Sequence, residues 1–108
     1  MTSYQPDRKE QLYVCVYRLA PEPPPLKMSG EELHHQHRDW LQSLADSNVL
    51  MGSGPARDEN NTNHAGSIII LRAASMEEAR RLALQEPNAR EGQRVPEVIP
   101  WHRMWFED

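Results

Sequence analysis

Two short segments with the same pattern determine where helices can begin in this chain. Residues 29–32 read Ser-Gly-Glu-Glu, and residues 75–78 read Ser-Met-Glu-Glu. In such a capping box the serine hydroxyl accepts a hydrogen bond from the backbone N–H three residues later, and the glutamate reaches back to the serine N–H. The pattern therefore predicts two helices, of which the first ends near Ser47 and the second is ended by Pro87.

Four strands are predicted around these helices. Residues 11–19 are rich in valine and tyrosine, and residues 66–73 contain three consecutive isoleucines, which indicates a central strand. Two weaker strands cover residues 49–55 and 95–106, and prolines in the last one place it at an edge of the sheet. The order strand, helix, strand, strand, helix, strand predicts an α+β, ferredoxin-like βαββαβ fold, with an antiparallel sheet and both helices on one face.

Length and charge limit the class of protein. With 108 residues, we expect a single domain over residues 1–108, in which residues 1–10 are a flexible N-terminus. Twelve basic residues against 16 acidic ones give a net charge of −4, which argues against nucleic acid or a membrane surface as a partner. No apolar run approaches the roughly 18 residues of a membrane helix. The single cysteine, Cys15, fits a reducing compartment, so we predict a cytoplasmic protein.

The predicted sheet has one face without helices. An apolar face of this kind needs a cover, and large apolar side chains, Trp101, Met104 and Trp105, lie near the C-terminus. We therefore expect a second copy of the chain to cover it, which predicts a homodimer.

His37 and Glu86 are the candidate catalytic residues. On a helical wheel, His37 falls in the apolar stripe of the first helix and Glu86 on the buried side of the second. In this fold the first helix starts at the same end of the sheet where the second helix finishes. The side chains of His37 and Glu86 therefore converge at one end of the domain. A carboxylate that bonds one imidazole nitrogen makes the other a usable general base. Spacing alone favours the alternative, in which His37 bonds a backbone carbonyl and Glu86 is an exposed helix-end residue.

Several short motifs, in this order, resemble those of a known family. They are HRDWL at residues 37–41, VLMGSGP at 49–55, Gly66-Ser67, SMEEA at 75–79, Glu86-Pro87 with Gly92, and Pro100-Trp101. The chain resembles the YCII-related (YciI-like) proteins, which are small dimeric α+β barrels. The resemblance implies an active site made of a helical histidine and the aspartate of an Asp-Pro step, which correspond to His37 and Glu86. Glu86 departs from that pattern by one methylene.

The resemblance also leads to a functional hypothesis. It implies a cofactor-independent enzyme in which a His-carboxylate dyad moves a proton on a small organic substrate, as a lyase, dehalogenase or isomerase. The alternative is a non-catalytic dimer that binds a small molecule or acts as an accessory subunit. We predict substrate contacts for four further residues, although core packing is the favoured role of the two tryptophans: His34, Trp40, Ser67 and Trp101. His34 and His37 lie three residues apart on a helix, but no third ligand is evident, so no metal and no cofactor are predicted.

Overall fold

The structure is a computed structural model, which describes residues 1–61 and 64–107. In these ranges the chain forms six strands and three helices. The strands are β1 (Thr2–Tyr4), β2 (Glu10–Leu19), β3 (Leu50–Arg57), β4 (His64–Leu71), β5 (Arg94–Arg103) and β6 (Trp105–Glu107). The helices are α1 (Gly30–Asp46), α2 (Met76–Gln85) and α3 (Pro87–Arg90).

The two long helices begin at the predicted serines. Ser29 caps α1 by accepting a hydrogen bond from the N–H of Glu32, and Ser75 caps α2 by accepting one from the N–H of Glu78. Both bonds satisfy backbone donors that a helix start would otherwise leave unpaired. Local chemistry therefore determines where each helix enters the fold.

The four long strands form one antiparallel sheet in the order β3-β4-β2-β5. The isoleucine-rich β4 is internal and β5 lies at an edge, as predicted. One face of the sheet carries Cys15, Tyr17, Ile69 and Leu71, which pack with Leu44 of α1 and Ala83 of α2 in the buried core. The α+β, ferredoxin-like fold is thus confirmed, with its helices on this face.

The opposite face of the sheet exposes large apolar side chains. Val95, Ile99 and Trp101 of β5 are 55%, 44% and 41% exposed, and Ile68 of β4 is 41% exposed. Alternation along a strand places these residues on the side away from the helices. The single chain leaves this apolar surface in contact with solvent.

The chain ends pair in a way that the sequence analysis does not anticipate. The N-terminal segment, expected to be flexible, contains β1, which pairs antiparallel with β6 in a separate two-stranded sheet. Phe106 of β6 is buried, with the guanidinium carbons of Arg8 and Arg103 lying 3.8 and 4.5 Å from its ring centroid. The contact from Arg8 joins the two ends of the chain.

A second unanticipated element follows the second helix. Pro87 ends α2, as predicted, but it is also the first residue of the short helix α3. Proline suits this position because the first N–H of a helix has no partner within the helix. Among the described residues, no helix combines the length and apolar character needed to cross a membrane.

Candidate active site

Glu86 lies at the junction of α2 and α3, and its side chain is only 2% exposed. Its Oε1 accepts hydrogen bonds from the backbone N–H of Asn88 at 3.0 Å and from the Asn88 side-chain amide at 2.8 Å. Its Oε2 accepts from the backbone N–H of Ala89 at 2.8 Å. The carboxylate is therefore both the N-terminal cap of α3 and a buried acceptor with several donors around it.

These contacts keep the Glu86 carboxyl ionised. Burial acts to raise its pKa, since a charged group is costly to remove from water. Hydrogen bonds from His37, Asn88 and Ala89 act in the opposite direction and together hold the pKa of Glu86 below its ordinary value of 4.5. At neutral pH the group is a carboxylate, which can only accept hydrogen bonds.

His37 lies in the first half of α1, directly against this carboxylate. Its Nδ1 is 2.7 Å from Oε1 of Glu86, and its side chain is 16% exposed. Because the carboxylate can only accept, Nδ1 carries the proton, and in the neutral ring Nε2 keeps its lone pair. Nε2 has no hydrogen-bond partner among the described residues. Of the two alternatives that the sequence left open, the structure contains the His-carboxylate pair.

His37 lines a cleft of about 700 Å³ between α1 and the sheet, which we call the His37 cleft. This volume suits a small organic ligand. Its walls come from α1, β3, β4, α3 and β5. The residues that line it are Gly30, Leu33, His34, His37, Arg38, Leu41, Ser53, Gly54, Pro55, Ser67, Asn88 and Arg94.

Ser67 is one of the predicted substrate-contacting residues, and the glycine before it determines its position. Gly66 has a φ of +114°, and a Cβ added there would lie 1.9 Å from the carbonyl oxygen of Tyr17 in β2. Only glycine permits β4 to approach β2 so closely. Ser67 is thereby held opposite Tyr17, nearly buried, in the wall of the cleft.

The other three predicted contact residues lie in three different regions. His34 lines the His37 cleft together with Ser67. Trp40 packs against the buried core. Trp101 is exposed on the face of the sheet opposite the helices and is not among the residues that line the cleft. The structure therefore brings His34, His37, Glu86 and Ser67 together, and leaves the two tryptophans apart from them.

Arg94 and Asn88 are site residues that the sequence analysis did not identify. Nη1 of Arg94 donates a hydrogen bond to Oγ of Ser67 at 3.2 Å, and both residues line the cleft. Arg94 directly precedes the predicted last strand, so a basic residue at that strand start was the available signal. Asn88 depends on α3, which local sequence patterns did not reveal.

Metal ligation is a separate question. The rings of His34 and His37 stack with their centroids 6.4 Å apart. In the described ranges, no group of three or more histidine, cysteine, aspartate or glutamate side chains is arranged to hold a metal ion.

Similarity to known proteins agrees with this fold. Among solved structures, the chain resembles 5-chloro-2-hydroxyhydroquinone dehydrochlorinase from Burkholderia phenoliruptrix AC1100 in complex with 2,5-dihydroxybenzoquinone. The TM-score is 0.59 at 19% sequence identity, over 83% of this chain and 92% of that one, so the likeness concerns the fold. No curated protein is significantly similar in sequence. The YCII-related domain matches residues 7–102, nearly the whole chain, and the protein thus belongs to the YCII-related family.

Proposed function

We propose that this protein is a cofactor-independent enzyme that transfers a proton on a small organic substrate in the His37 cleft, with elimination or isomerisation as the result. His37 is the general base, and Glu86 is the residue that orients and polarises it. The observation that carries the proposal is the 2.7 Å contact between Nδ1 of His37 and the buried carboxylate of Glu86. Contacts of this length are those through which acid–base residues act in enzymes.

The proton transfer follows from this arrangement. Nε2 of neutral His37 accepts a proton from an acidic C–H or O–H group of the substrate, and the electron pair of that bond stays on the substrate. Glu86 stabilises the imidazolium that forms. In an elimination, the electron pair forms a new double bond while a leaving group departs as an anion. In an isomerisation, the imidazolium returns the proton to another substrate atom.

The class of reaction is supported by the structural neighbour. That protein is named a dehydrochlorinase and holds a dihydroxybenzoquinone. Loss of hydrogen and chloride requires a base, and His37 supplies one here. A small hydroxylated ring is therefore the first substrate class to test.

The test compares two histidines of the same helix. His37→Gln removes the base, whereas His35→Gln changes an exposed histidine whose Nε2 lies 3.9 Å from Oε1 of Glu31. Wild-type protein is assayed for chloride release from chlorinated hydroxyhydroquinones and for deuterium incorporation from D₂O into hydroxylated rings. We expect His37→Gln to lose about 10²- to 10⁴-fold in rate, the usual contribution of a general base, and His35→Gln to retain wild-type activity.

The outcomes separate the two functional hypotheses. Full activity in a folded His37→Gln protein contradicts the proposed role of His37. Tight binding of these rings without turnover or deuterium exchange supports the alternative, a binding or accessory protein.

We further propose that the protein is a homodimer, formed through the sheet face that exposes Ile68, Val95, Ile99 and Trp101. Burial of such a face is favourable by about 25 cal/mol per Å² of apolar surface. Ile99→Glu should give a monomer in sedimentation equilibrium, while Leu84→Glu, at a 60% exposed position on α2, should not. A monomeric wild-type protein, or an unaffected dimer in Ile99→Glu, contradicts this interface.

The proposed cellular location is the cytoplasm. Cys15 is a free, buried thiol and the chain has no other cysteine. A protein with one buried thiol forms no internal disulfide that an oxidising compartment would stabilise. Cell fractionation with a tagged full chain tests this location.

A further inference from the structure

The wall of the His37 cleft is positively charged, whereas the protein as a whole is negatively charged. The chain has a net charge of −4, yet none of the described residues that line the cleft is acidic, and two of them, Arg38 and Arg94, are arginines. The carboxylate of Glu86 does not line the cleft, since it is buried behind His37 and bound to it. A cleft with cationic walls in an acidic protein attracts an anion.

Arg94 is the arginine whose position is determined by the fold. It begins β5, and the residue before it, Gln93, donates a side-chain hydrogen bond to the carbonyl oxygen of Pro24 at 2.7 Å. Ser67 then accepts from Nη1 of Arg94 at 3.2 Å. The guanidinium of Arg94 is thereby held by Ser67 of β4, and the neighbouring Gln93 is bound to the proline-rich connection.

The guanidinium of Arg94 has further N–H donors that are available to a ligand. A guanidinium has five N–H donors, and the bond to Ser67 occupies one. No carboxylate of the described residues lies within ion-pair distance of Arg94, whereas Arg103 and Arg72 both contact Glu10. A planar guanidinium without an acidic partner, in the wall of a cleft, is suited to bind an anionic oxygen group.

We propose that Arg94 is the specificity-determining residue of the site and that the substrate carries an anionic oxygen, a carboxylate or an enolate-type ring oxygen, which Arg94 binds while His37 faces the acidic proton. Ser67 is a positioning residue that holds the guanidinium. The inference rests on the proposed function for the reacting proton, but anion binding is measured without turnover. Binding of the anion next to the reaction centre also stabilises the negative charge that proton removal creates.

Calorimetric titration with two matched pairs of probes tests the proposal. 2,5-Dihydroxybenzoquinone is compared with its neutral dimethyl ether, and benzoate is compared with benzamide. We expect wild-type protein to bind at least one anion about tenfold or more tightly than its neutral partner, since charge-assisted hydrogen bonds are the stronger ones. The pair that shows this preference identifies the source of the anionic oxygen.

Three variants assign the preference to Arg94. Arg94→Gln should weaken anion binding about 10- to 100-fold with little change for the neutral probe, and Arg94→Lys should recover part of the loss. Ser67→Ala should weaken only the anion, by a smaller factor. Arg80→Gln, a change at an exposed arginine of α2, should have no effect. Thermal unfolding of each variant establishes that it is folded.

The results that overturn this inference differ from those that overturn the proposed function. Equal affinity for an anion and its neutral partner, no binding of either anion at millimolar concentration, or unchanged anion binding in Arg94→Gln removes the role of Arg94. Anion binding that depends on Arg94, in a protein whose proton exchange does not depend on His37, leaves this inference intact and refutes the proposed function.

Discussion

Glu86→Gln is the change that tests most directly how the buried carboxylate contributes to stability. Glutamine keeps the shape of the side chain but replaces one oxygen by an NH₂ group and removes the charge. With its oxygen in the place of Oε1, glutamine still accepts from His37 and Asn88. Its NH₂ group then faces the N–H of Ala89. In the wild-type protein this N–H donates to Oε2 of Glu86 at 2.8 Å. Two donors face each other in a buried position.

The expected loss can be worked out from these contacts. An unpaired buried N–H costs about 1–3 kcal/mol, and the bonds to a neutral oxygen are each weaker by about 0.5–1 kcal/mol than those to a carboxylate. Removing the buried charge recovers part of this cost. We expect the free energy of unfolding to fall by about 2–4 kcal/mol at pH 7, a large part of the total for a domain of this size.

The sign of the pH dependence follows from the pKa of Glu86. Its folded-state pKa lies below the ordinary value of 4.5, so the carboxylate stabilises the fold at pH values above 4.5. This stabilisation is lost as the pH falls through the lowered folded-state pKa. The difference in free energy of unfolding between wild type and Glu86→Gln should therefore reach its largest value at pH 6–8. It should become smaller as the pH falls below 4.5.

Urea unfolding followed by circular dichroism measures this difference at a fixed protein concentration, because association of copies also contributes to stability. Glu77→Gln, at an exposed position in the first turn of α2, is the matched control and should change stability by less than about 0.5 kcal/mol. Equal stability of Glu86→Gln and wild type at pH 7, or a difference that does not change with pH, would refute the reasoning.

Three further predictions concern the core. Gly66→Ala places a Cβ against the Tyr17 carbonyl oxygen, so it should cost more than about 3 kcal/mol or prevent folding, as judged by circular dichroism; a variant as stable as wild type would contradict the close approach of β4 to β2. Tyr17→Phe removes a hydrogen bond of 2.7 Å to the carbonyl of Ala83 and should cost about 1–2 kcal/mol in urea unfolding. Burial raises the pKa of Cys15 to about 11, so the native protein should not react with a disulfide reagent at pH 8 and the urea-unfolded protein should. Rapid reaction of the native thiol would show that the core opens at β2.

The parts of the fold that were predictable from sequence depend on short-range chemistry. The serine caps at Ser29 and Ser75 act within three residues, and the isoleucine run of β4 indicates an internal strand without reference to its neighbours. Helical periodicity placed Glu86 on the buried side of the second helix, although spacing alone favoured an exposed helix-end position. The meeting of Glu86 with His37 additionally required the topology, which the order of elements supplied.

The missed elements depend on contacts between distant parts of the chain or on a signal with two meanings. β1 pairs with β6 across the full length of the sequence, and no local pattern indicates such a partner. Pro87 indicates a helix end, but proline equally favours the first turn of a new helix, and α3 uses it in that second sense. Arg94 becomes a cleft residue only through its register opposite Leu19 and its bond to Ser67.

The double role of Glu86 has a consequence for comparing relatives of this protein. The same carboxylate caps α3 through Asn88 and Ala89 and holds the imidazole of His37. On the proposed function, a descendant that lost the proton chemistry would still need a hydrogen-bond acceptor at this position to cap α3, so selection for folding alone would favour keeping the acid. Nothing in the described fold requires a histidine at position 37 in the same way. Within such a lineage, loss of the histidine with retention of the acid would mark the members that have become pure binders.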